Sequence, residues 1–392
     1  MKALICGAGI AGLTLATQLG RQGWDVSLFD EAAAARDEGY MINLFGSGFE
    51  AAQRIGLMPQ LQALAYDFDA IDWRNPAGES TARLPFRAIR RLLEGRLLSL
   101  MRRDLERTLI EQLPPNVTLR FERSVRQVRT PVGGVEVLLS SGEAERGDVL
   151  VGADGHDSKI RDLMFGDGGA QWFRFMGFHT AAFVFRDADV RASLNEDFCI
   201  VSVPGRQVGF YPVRDSKVAV VFVHRAANGV PPVNAVETLT QTYADLNGPV
   251  KAALAAAVTA PDLHYEQVGQ VIMPQWCRGR IALLGDACQA VSLLPGQGAS
   301  LSMAAAEVLA EQLCGRSPVN AALAEYERRV RPQMTLMRRS ARRAADWLIP
   351  ATPAGLMARN GAIRLANFPG LTRMFLPAAN AANDRMLSSS PP

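Results

Sequence analysis

The residues with the clearest chemical meaning are three glycines near the start of the chain and one carboxylate downstream of them. Gly7, Gly9 and Gly12 follow a short apolar run and precede a helix-like segment, the order strand, glycine turn, helix. Such glycines permit a tight turn, close approach of the backbone to a pyrophosphate, and close packing of helix on strand. Asp30 lies 18 residues beyond Gly12, near the spacing of about 20 expected for a ribose-binding acid. The pattern predicts a dinucleotide site and does not by itself distinguish FAD from NAD.

Three later segments carry further motifs. Residues 152–161 read GADGHDSKIR, which has the pattern GADGxxSxxR. Residues 285–287 read GDA, with PGQG at 295–298, and residues 102–105 read RRDL, an R-x-D-L pattern. Together with the glycine turn, these segments resemble the fingerprints of the class A flavoprotein monooxygenases (para-hydroxybenzoate hydroxylase-like). Four motifs occur in that family's order across about 290 residues, so chance is a poor explanation.

The resemblance implies an α/β fold, with a Rossmann-like FAD-binding domain, an inserted antiparallel-sheet substrate domain and C-terminal helices. It implies resident FAD and a transient NADPH or NADH donor, because the sequence has one glycine fingerprint and not two. It also implies that O2 forms a flavin C4a-hydroperoxide that hydroxylates an aromatic or polycyclic small molecule. The cofactor carries this chemistry, so no side chain is predicted to act as a catalytic nucleophile.

Family resemblance also assigns roles to individual residues. It places Asp30 at the adenosine ribose, Arg102 near the ribityl-pyrophosphate region and Asp286 at the ribityl chain. Asp154 is linked to both FAD and NADPH handling. A helix over 301–313 would present its N-terminus to a reduced flavin ring and stabilise negative charge there. The predicted cofactor-binding residues are Gly7, Gly9, Ala11, Gly12, Asp30, Glu31, Arg102, Asp154, Asp286, Gly296, Gly298, Ala299 and Ser300.

Structural alternatives stay open for three of these side chains. Asp154 could serve only as a turn former before a glycine, and Arg102 could be an exposed helix arginine. Asp286 could cap a helix N-terminus, alone or together with a cofactor role.

The chain departs from the family pattern at several positions. Residues 288–289 are Cys-Gln where many relatives continue GDA with Ala-His. Ser300 stands where asparagine is frequent, and Glu31 where arginine or lysine is frequent. These changes leave FAD binding expected. They weaken close substrate analogy, because residues 293–300 should face the reacting edge of the flavin.

Composition excludes several other classes of protein. Hydrophobic content of 48% and charged content of 21% are ordinary for a globular enzyme, and a net charge of +3 predicts no nucleic-acid or membrane partner. No apolar stretch approaches the roughly 20 residues of a membrane helix, and the N-terminus reads as a mature cytoplasmic start. The five cysteines form no CxxC and the four histidines no HxH or HExxH, so neither a disulfide framework nor a metal site is predicted.

Apolar periodicity predicts the elements that position the site. It indicates a helix over 96–113, strands over 117–121, 124–129, 134–139, 149–151 and 281–284, and an antiparallel sheet over 173–185, 198–203, 208–213 and 218–224. An apolar stripe from Leu323 to Leu348 predicts a helical tail that Pro332 breaks or kinks. The predicted FAD-binding domain comprises 1–71, 96–170 and 271–318, the substrate domain 72–95 and 171–270, and the C-terminal helical region 319–392, frayed at its end.

The predicted substrate domain is rich in aromatic residues, which suits a planar or polycyclic substrate, although core packing explains most of them equally well. His179 and His224 are candidate acid/base helpers on a phenol, with a strand histidine as the alternative. The predicted substrate-contacting residues are His179, Phe183, Phe210, His224, Leu293 and Pro295. Chain length and helical tail also resemble tetracycline destructases and aromatic polyketide hydroxylases, which implies a polyketide- or tetracycline-like substrate.

Three other functions stay open at this point. One is a flavin-dependent oxidoreductase without oxygen insertion. Another is a flavin halogenase, because residues 346–350 read DWLIP and faintly resemble a WxWxIP motif, although the first tryptophan is missing. The third is a flavin-binding protein without turnover. A monomer or weak homodimer is expected.

Overall fold

The computed structural model describes residues 1–35, 40–166, 169–261, 263–291 and 297–366. The strands are β1 Lys2–Cys6, β2 Asp25–Phe29, β3 Met41–Phe45, β4 Ala70–Arg74, β5 Ser80–Pro85, β6 Leu97–Met101, β7 Val117–Arg120, β8 Val125–Arg129, β9 Val135–Leu139, β10 Ala144–Gly147, β11 Val149–Gly152, β12 Phe173–Arg186, β13 Phe198–Val203, β14 Arg206–Val213, β15 Lys217–Arg225, β16 His264–Val271, β17 Cys277–Arg278 and β18 Ile281–Leu283. The helices are α1 Ile10–Arg21, α2 Gly46–Arg54, α3 Met58–Leu64, α4 Phe86–Leu92, α5 Arg102–Glu111, α6 Lys159–Phe165, α7 Gly169–Trp172, α8 Ala188–Ser193, α9 Ala235–Thr242, α10 Pro249–Ala257, α11 Asp286–Gln289, α12 Gly298–Leu313, α13 Val319–Leu348 and α14 Pro353–Ala366.

A six-stranded sheet forms the centre of the cofactor-binding part. Its strand order is β17-β18-β11-β1-β2-β7, and all neighbours are parallel except β17 and β18. The strand β1 reads Lys-Ala-Leu-Ile-Cys and is buried after its first residue, which is typical of a parallel strand covered on both faces. The carboxyl ends of β1, β2, β11 and β18 therefore meet at one edge of the sheet.

Residues 96–113 contain a strand and a helix, so the predicted single helix is wrong in its first third. The run Leu97–Met101 pairs antiparallel with β3, and the helix α5 begins at Arg102. All five residues of β6 are buried. An apolar run of this length fits a buried strand as well as a helix, and the pairing with β3 decides for the strand.

A seven-stranded sheet forms the second part, in the order β16-β12-β15-β14-β13-β4-β5. Its neighbours are antiparallel except β13 and β4, which are parallel. The four predicted extended segments are confirmed as β12 to β15, but the sheet is not purely antiparallel because β4 joins it from the N-terminal part of the chain. The boundaries proposed for the domains stay a prediction.

The C-terminal region contributes one long helix and one shorter one. Pro332 lies inside α13, which runs unbroken over 30 residues, so the predicted break is wrong, and the alternative of a kink stays a prediction. An interior proline costs about 3 kcal/mol of helix stability. Here Tyr326, Val330, Met334 and Met337 continue the buried stripe on both sides of it, and this packing holds the helix together. In the part of the chain that the structure describes, no helix is both long and apolar enough to cross a membrane.

Candidate active site

The glycine turn has the close contacts that its spacing predicts. Gly7 has a φ of +106°, and a Cβ at Gly12 would lie 1.9 Å from the Gly7 carbonyl oxygen. At Gly9, which precedes α1, a Cβ would meet only the Arg102 side chain, at 3.9 Å. Gly7 and Gly12 are therefore required by the fold, whereas Gly9 leaves one side of the turn open toward a cavity.

Asp30 supports this turn from the end of β2. Its carboxylate accepts hydrogen bonds from the backbone N–H groups of Ala8 at 2.6 Å and Ala32 at 2.9 Å. Glu31 is exposed and pairs with Lys159. Asp30 thus fixes the shape of the glycine turn, and the structure brings it next to the site where the sequence predicts a dinucleotide.

Arg102 is held in a polar cluster at the start of α5. Its guanidinium donates to the Tyr40 hydroxyl and to the Glu106 carboxylate, each at 3.0 Å. Burial lowers the pKa of Arg102, but Tyr40 and Glu106 outweigh it and raise this pKa above its ordinary value. The arginine therefore presents a permanent positive charge to the cavity rather than lying exposed on a helix.

Asp154 bonds within its own loop. Its carboxylate accepts from the Ser158 hydroxyl at 2.5 Å and from the backbone N–H of Ile160 at 3.0 Å, at the start of α6. Burial raises the pKa of this carboxyl, and the bond from Ser158 lowers it. The neighbours Ala153 and Gly155 line the cavity, whereas Asp154 does not.

Arg161, the last residue of the GADGxxSxxR motif, was not among the predicted site residues. It is 2% exposed and donates to the Ala287 carbonyl at 3.1 Å and to the His156 carbonyl at 2.7 Å. It therefore joins the loop after β11 to the GDA segment after β18. Its place in the motif was the signal that could have identified it.

Asp286 opens α11 and its side chain is exposed to the cavity. Burial of the site raises the pKa of this carboxyl, Arg102 lowers it and Glu266 raises it. Among the described residues no hydrogen bond reaches its carboxylate, and Gly285 occupies the N-cap position of the helix. Asp286 is therefore a free acceptor facing the cavity, which fits a cofactor contact better than a cap.

The helix α12 begins at Gly298, one turn earlier than predicted, and Gly298 and Ala299 line the cavity. Ser300 turns away: its hydroxyl accepts from the Phe45 N–H at 3.2 Å and donates to the Asn43 carbonyl at 3.4 Å. Three other predicted residues, Leu293, Pro295 and Gly296, lie outside the described residues.

A cavity of about 310 Å³ connects these segments to the seven-stranded sheet. On the cofactor side it is lined by Gly9, Ala11, Tyr40, Arg102, Asp286 and Gly298. Its floor consists of Thr180, Ala182, Gln207, Gly209, Val221 and Val223. Apolar walls come from Ile71, Trp73, Phe198, Ile200, Tyr211 and Leu348. This size and lining are typical of a small-molecule site.

Two predicted substrate residues, Phe183 and Phe210, do not reach this cavity. Side chains alternate between the two faces of a strand, and Ala182, Gly209 and Tyr211 face the cavity. Phe183 and Phe210 therefore face away, and both are buried in a separate hydrophobic core beneath α9 and α10. The core-packing alternative is correct for them.

His179 and His224 likewise lie on that opposite face. The Tyr265 hydroxyl lies 2.9 Å from His179 Nδ1 and 3.3 Å from His224 Nε2, and the Tyr243 hydroxyl lies 3.4 Å from His224 Nδ1. Burial lowers the pKa of both imidazoles, that of His224 to about 4. Neither histidine reaches the cavity, so they are wrong as substrate contacts.

The histidine that does reach the cavity is His264, with Glu266 beside it. His264 Nε2 lies 3.2 Å from a Glu266 oxygen, and the His264 ring is stacked with Tyr40 at 6.5 Å. The sequence His-Tyr-Glu in β16 carried the signal, because residues two apart in a strand share a face. Sequence reasoning missed these two residues and Tyr40.

Comparison with known proteins shows the family of the chain. Residues 1–340 match the family described as FAD binding domain. The chain is 30% identical over 362 residues to 3-amino-4-hydroxybenzoate 2-monooxygenase PtnB3 of Streptomyces platensis, which covers 89% of each chain.

The chain belongs to the FAD-dependent monooxygenases.

Solved structures of this family of flavoproteins have the same fold. Tetracycline destructase Tet(55) superposes with a TM-score of 0.82 over 99% of this chain and 98% of the other, at 21% identity. HpxO of Klebsiella pneumoniae, complexed with FAD and uric acid, superposes with a TM-score of 0.81 over 97% and 96%, also at 21% identity. The predicted family, fold class and cofactor are confirmed, and NAD(P)H and O2 are the co-substrates typical of these enzymes.

Proposed function

We propose that this flavin-dependent monooxygenase hydroxylates an aromatic or polycyclic small molecule. The observation that carries the proposal is the cavity, which passes from Arg102 and Asp286 to a floor of strands with apolar walls. The name of the relative PtnB3 describes an aromatic acid as its substrate, and that of Tet(55) a polycyclic one. Aromatic rings suit the apolar walls of the cavity, and the few polar side chains can orient the hydrogen-bonding groups that the rings carry.

The residues around the glycine turn fit FAD. A Cβ at Gly9 would extend toward Arg102, so the glycine leaves space where a pyrophosphate would approach the start of α1. Arg102 supplies a positive charge there, and Asp286 supplies an acceptor for ribityl hydroxyls. Asp30 would orient the turn and the adenosine ribose. When bound, FAD supplies the redox chemistry, taking electrons from NAD(P)H and activating O2.

The sheet and the C-terminal helices would position the substrate and exclude water. Leu348, at the end of α13, lines the cavity, and the buried Arg359 of α14 donates to the Leu348 carbonyl at 2.7 Å. Arg359 also lies over the Trp73 ring, 5.9 Å from its centroid. These contacts hold the helical cover onto the cavity wall, and a dry cavity strengthens every electrostatic interaction inside it.

The His264–Glu266 pair would accept the proton of a phenolic hydroxyl. The two side chains are 3.2 Å apart, and both line the cavity. Deprotonation makes a phenol more electron-rich, which favours transfer of an electrophilic oxygen to the ring. This role replaces the one predicted for His179 and His224, which lie on the opposite face of the sheet.

The test is a turnover assay on purified holoprotein with NADPH and, separately, NADH. We expect a panel of polycyclic phenols and tetracyclines to contain compounds that accelerate flavin reduction and give products heavier by one oxygen. NAD(P)H oxidation without oxygen insertion would favour an oxidoreductase, and a strict need for halide would favour a halogenase. A protein that binds no FAD, or a flat response across the panel, would contradict the proposal.

Cytoplasmic location and a monomer or weak homodimer stay predictions, to be checked by fractionation and by sedimentation.

A further inference from the structure

The charged side chains of the cavity are few, and most of them are acids. Besides His264, the charged residues that line it are Arg102, Glu266 and Asp286. Burial is the first cause that raises the pKa of the Asp286 carboxyl, and the negative charge of Glu266 raises it further, so the two carboxylates lie close enough to repel each other. The described lining therefore has two acids and one permanent cation.

The charge of Arg102 is already balanced within the protein. Its guanidinium donates to the Glu106 carboxylate at 3.0 Å, and Glu106 is only 5% exposed. In the proposed function the same guanidinium faces the cofactor, whose phosphates bring further negative charge. A second anion in the cavity would therefore gain little attraction from Arg102.

Glu266 lies on the substrate side of these charges. In the register of β16 with β12, Glu266 pairs with Thr180 and His264 pairs with Ala182, and all four residues line the cavity. The Glu266 side chain is 14% exposed, and one of its oxygens lies 3.2 Å from His264 Nε2. At neutral pH this pair has a net negative charge or none, so it cannot offset the charge of a second carboxylate.

The floor and walls of the cavity, as far as the structure describes them, consist of neutral residues. The Thr180 hydroxyl already donates to the Phe222 carbonyl at 3.0 Å. The side-chain donors that remain for a ligand on the described floor and walls are the amide of Gln207 and the hydroxyl of Tyr211. A carboxylate in a dry cavity costs free energy unless a cation or several donors meet it.

One further cation lies near the cavity, but outside its lining. The guanidinium of Arg359 is 5.9 Å from the centroid of the Trp73 ring, which itself lines the cavity. Its N–H groups donate to the Leu348 carbonyl and to the side-chain oxygen of Asn360. Arg359 therefore directs its hydrogen bonds into the protein and not toward a ligand.

We infer that Glu266 determines the charge of the substrate, an inference that rests on the proposed function. It excludes aromatic carboxylates and admits phenols whose other ring substituents are neutral or carry an ammonium group. A carboxylate would face Glu266 across an apolar cavity, whereas an ammonium group would gain an acceptor there. Neutral hydroxyl and amide groups can bond to Gln207 and Tyr211 without the burial of a charge.

The test compares ligands of similar shape and different charge. The one-ring set is 4-hydroxybenzoate, 4-hydroxybenzamide and 4-hydroxybenzylamine, and the two-ring set is 6-hydroxy-2-naphthoate with 6-hydroxy-2-naphthamide. Perturbation of flavin absorbance gives their dissociation constants for the FAD-loaded protein near neutral pH. The wild type should bind each amide about 10- to 100-fold more tightly than the matching acid, and the amine also more tightly than the acid. Equal or tighter binding of the acids, or no binding of either amide, would overturn the inference.

Glu266→Gln removes the negative charge and keeps the size of the side chain. The preference for amide over acid should fall about tenfold, because the acid gains affinity. Glu237→Gln is the matched control, since Glu237 is an exposed acid of α9, on the far side of the sheet from the cavity. It should leave the preference as in the wild type. An unchanged preference in Glu266→Gln would overturn the role of Glu266.

A second pair of variants adds a charge instead of removing one. Gln207→Lys places a cation on the cavity floor and should increase the affinity for both acids about tenfold or more. Gln207→Met, with a neutral side chain of similar length, should not increase it. Equal effects of the two substitutions would show that charge does not decide binding, which would also overturn the inference.

Failure of the proposed function is a separate result. In that case none of the five ligands would stimulate NAD(P)H oxidation or give a product heavier by one oxygen, whatever the order of their affinities. Hydroxylation of an acid that binds as tightly as its amide would instead support the proposed function and overturn the role of Glu266.

Discussion

The two faces of the seven-stranded sheet have similar residue types and different roles. The cavity face presents His264, Glu266 and Tyr211, and the opposite face presents His179, His224 and Tyr265. On the cavity face several polar groups are open to a ligand. On the opposite face the imidazoles and phenols bond to one another, covered by α9 and α10. The role of a histidine or an aromatic ring in this sheet therefore depends on which face its position in the strand gives it, not on its residue type.

The largest expected effect is the loss of stability on truncating a side chain of the face that α9 and α10 cover. Phe210 is fully buried, and Phe210→Ala should lower the free energy of unfolding by about 3–5 kcal/mol. Because its side chain points away from the cavity, the folded protein should keep its affinity for an aromatic ligand such as 2-naphthol. Urea denaturation measures the stability, and perturbation of flavin absorbance below the unfolding transition measures the affinity. A changed affinity with little loss of stability would mean that the two faces are not separate.

Glu266→Gln tests the cavity face by its chemistry. We expect kcat to fall about 10²-fold with a phenolic substrate, with an altered pH profile and unchanged FAD content, because the pair with His264 would lose its carboxylate. His179→Gln is the matched control on the opposite face and should change kcat less than twofold. If His179→Gln proved the more damaging to kcat, the assignment of the faces would be reversed.

Asp286→Ala tests the cofactor end of the cavity. Loss of a charged acceptor should weaken FAD binding by about 10- to 100-fold, measured by titration of the apoprotein with FAD. The fold should survive, because no described residue depends on this carboxylate for a hydrogen bond. An unchanged FAD affinity would show that the open carboxylate serves something other than the cofactor.

The smallest expected effect is on the pH dependence of stability, through His224 on the face that α9 and α10 cover. Burial lowers the pKa of His224 to about 4, and His179 and Arg206 act in the same direction. His224 in the folded protein thus binds a proton less readily than in the unfolded protein, where its pKa is 6.5. The contribution of the neutral, buried imidazole to the free energy of unfolding is full above pH 6.5 and is lost as the pH falls toward 4. The loss between pH 7.5 and 5.5 is about 1 kcal/mol. His224→Gln should flatten that part of the stability curve measured by urea denaturation, and an identical slope in both proteins would contradict it.

The sequence was sufficient to predict the cofactor because the motifs that indicate FAD are local. The glycine turn, Asp286 and the start of α12 each depend on a strand and the turn that follows it, and these signals lie within a few residues. The substrate side was different. Whether Phe183 or Ala182 faces the cavity depends on which side of the sheet the helices cover, and a bulge between Phe175 and Phe178 shifts the register of β12. Neither the covered face nor the bulge can be predicted from the local sequence pattern.

The substrate face was also hidden because it is assembled from distant segments. Tyr40, His264 and Leu348 meet at the cavity from three separate parts of the chain. Residues 96–113 illustrate the same limit within one segment, since the pairing of Leu97–Met101 with β3 outweighed a pattern that also suits a helix.

Arg161 links the loop where the chain leaves the cofactor-binding sheet, after β11, to the turn that follows β18 of the same sheet. Its guanidinium joins the loop after β11 to Ala287, 126 residues away, and the strands β12 to β16 lie between these points. The two ends of this long segment are thus tied together by a buried side chain. An exchange of the segment for that of a relative would have to preserve this link and the pairing of β13 with β4, which lies outside the segment.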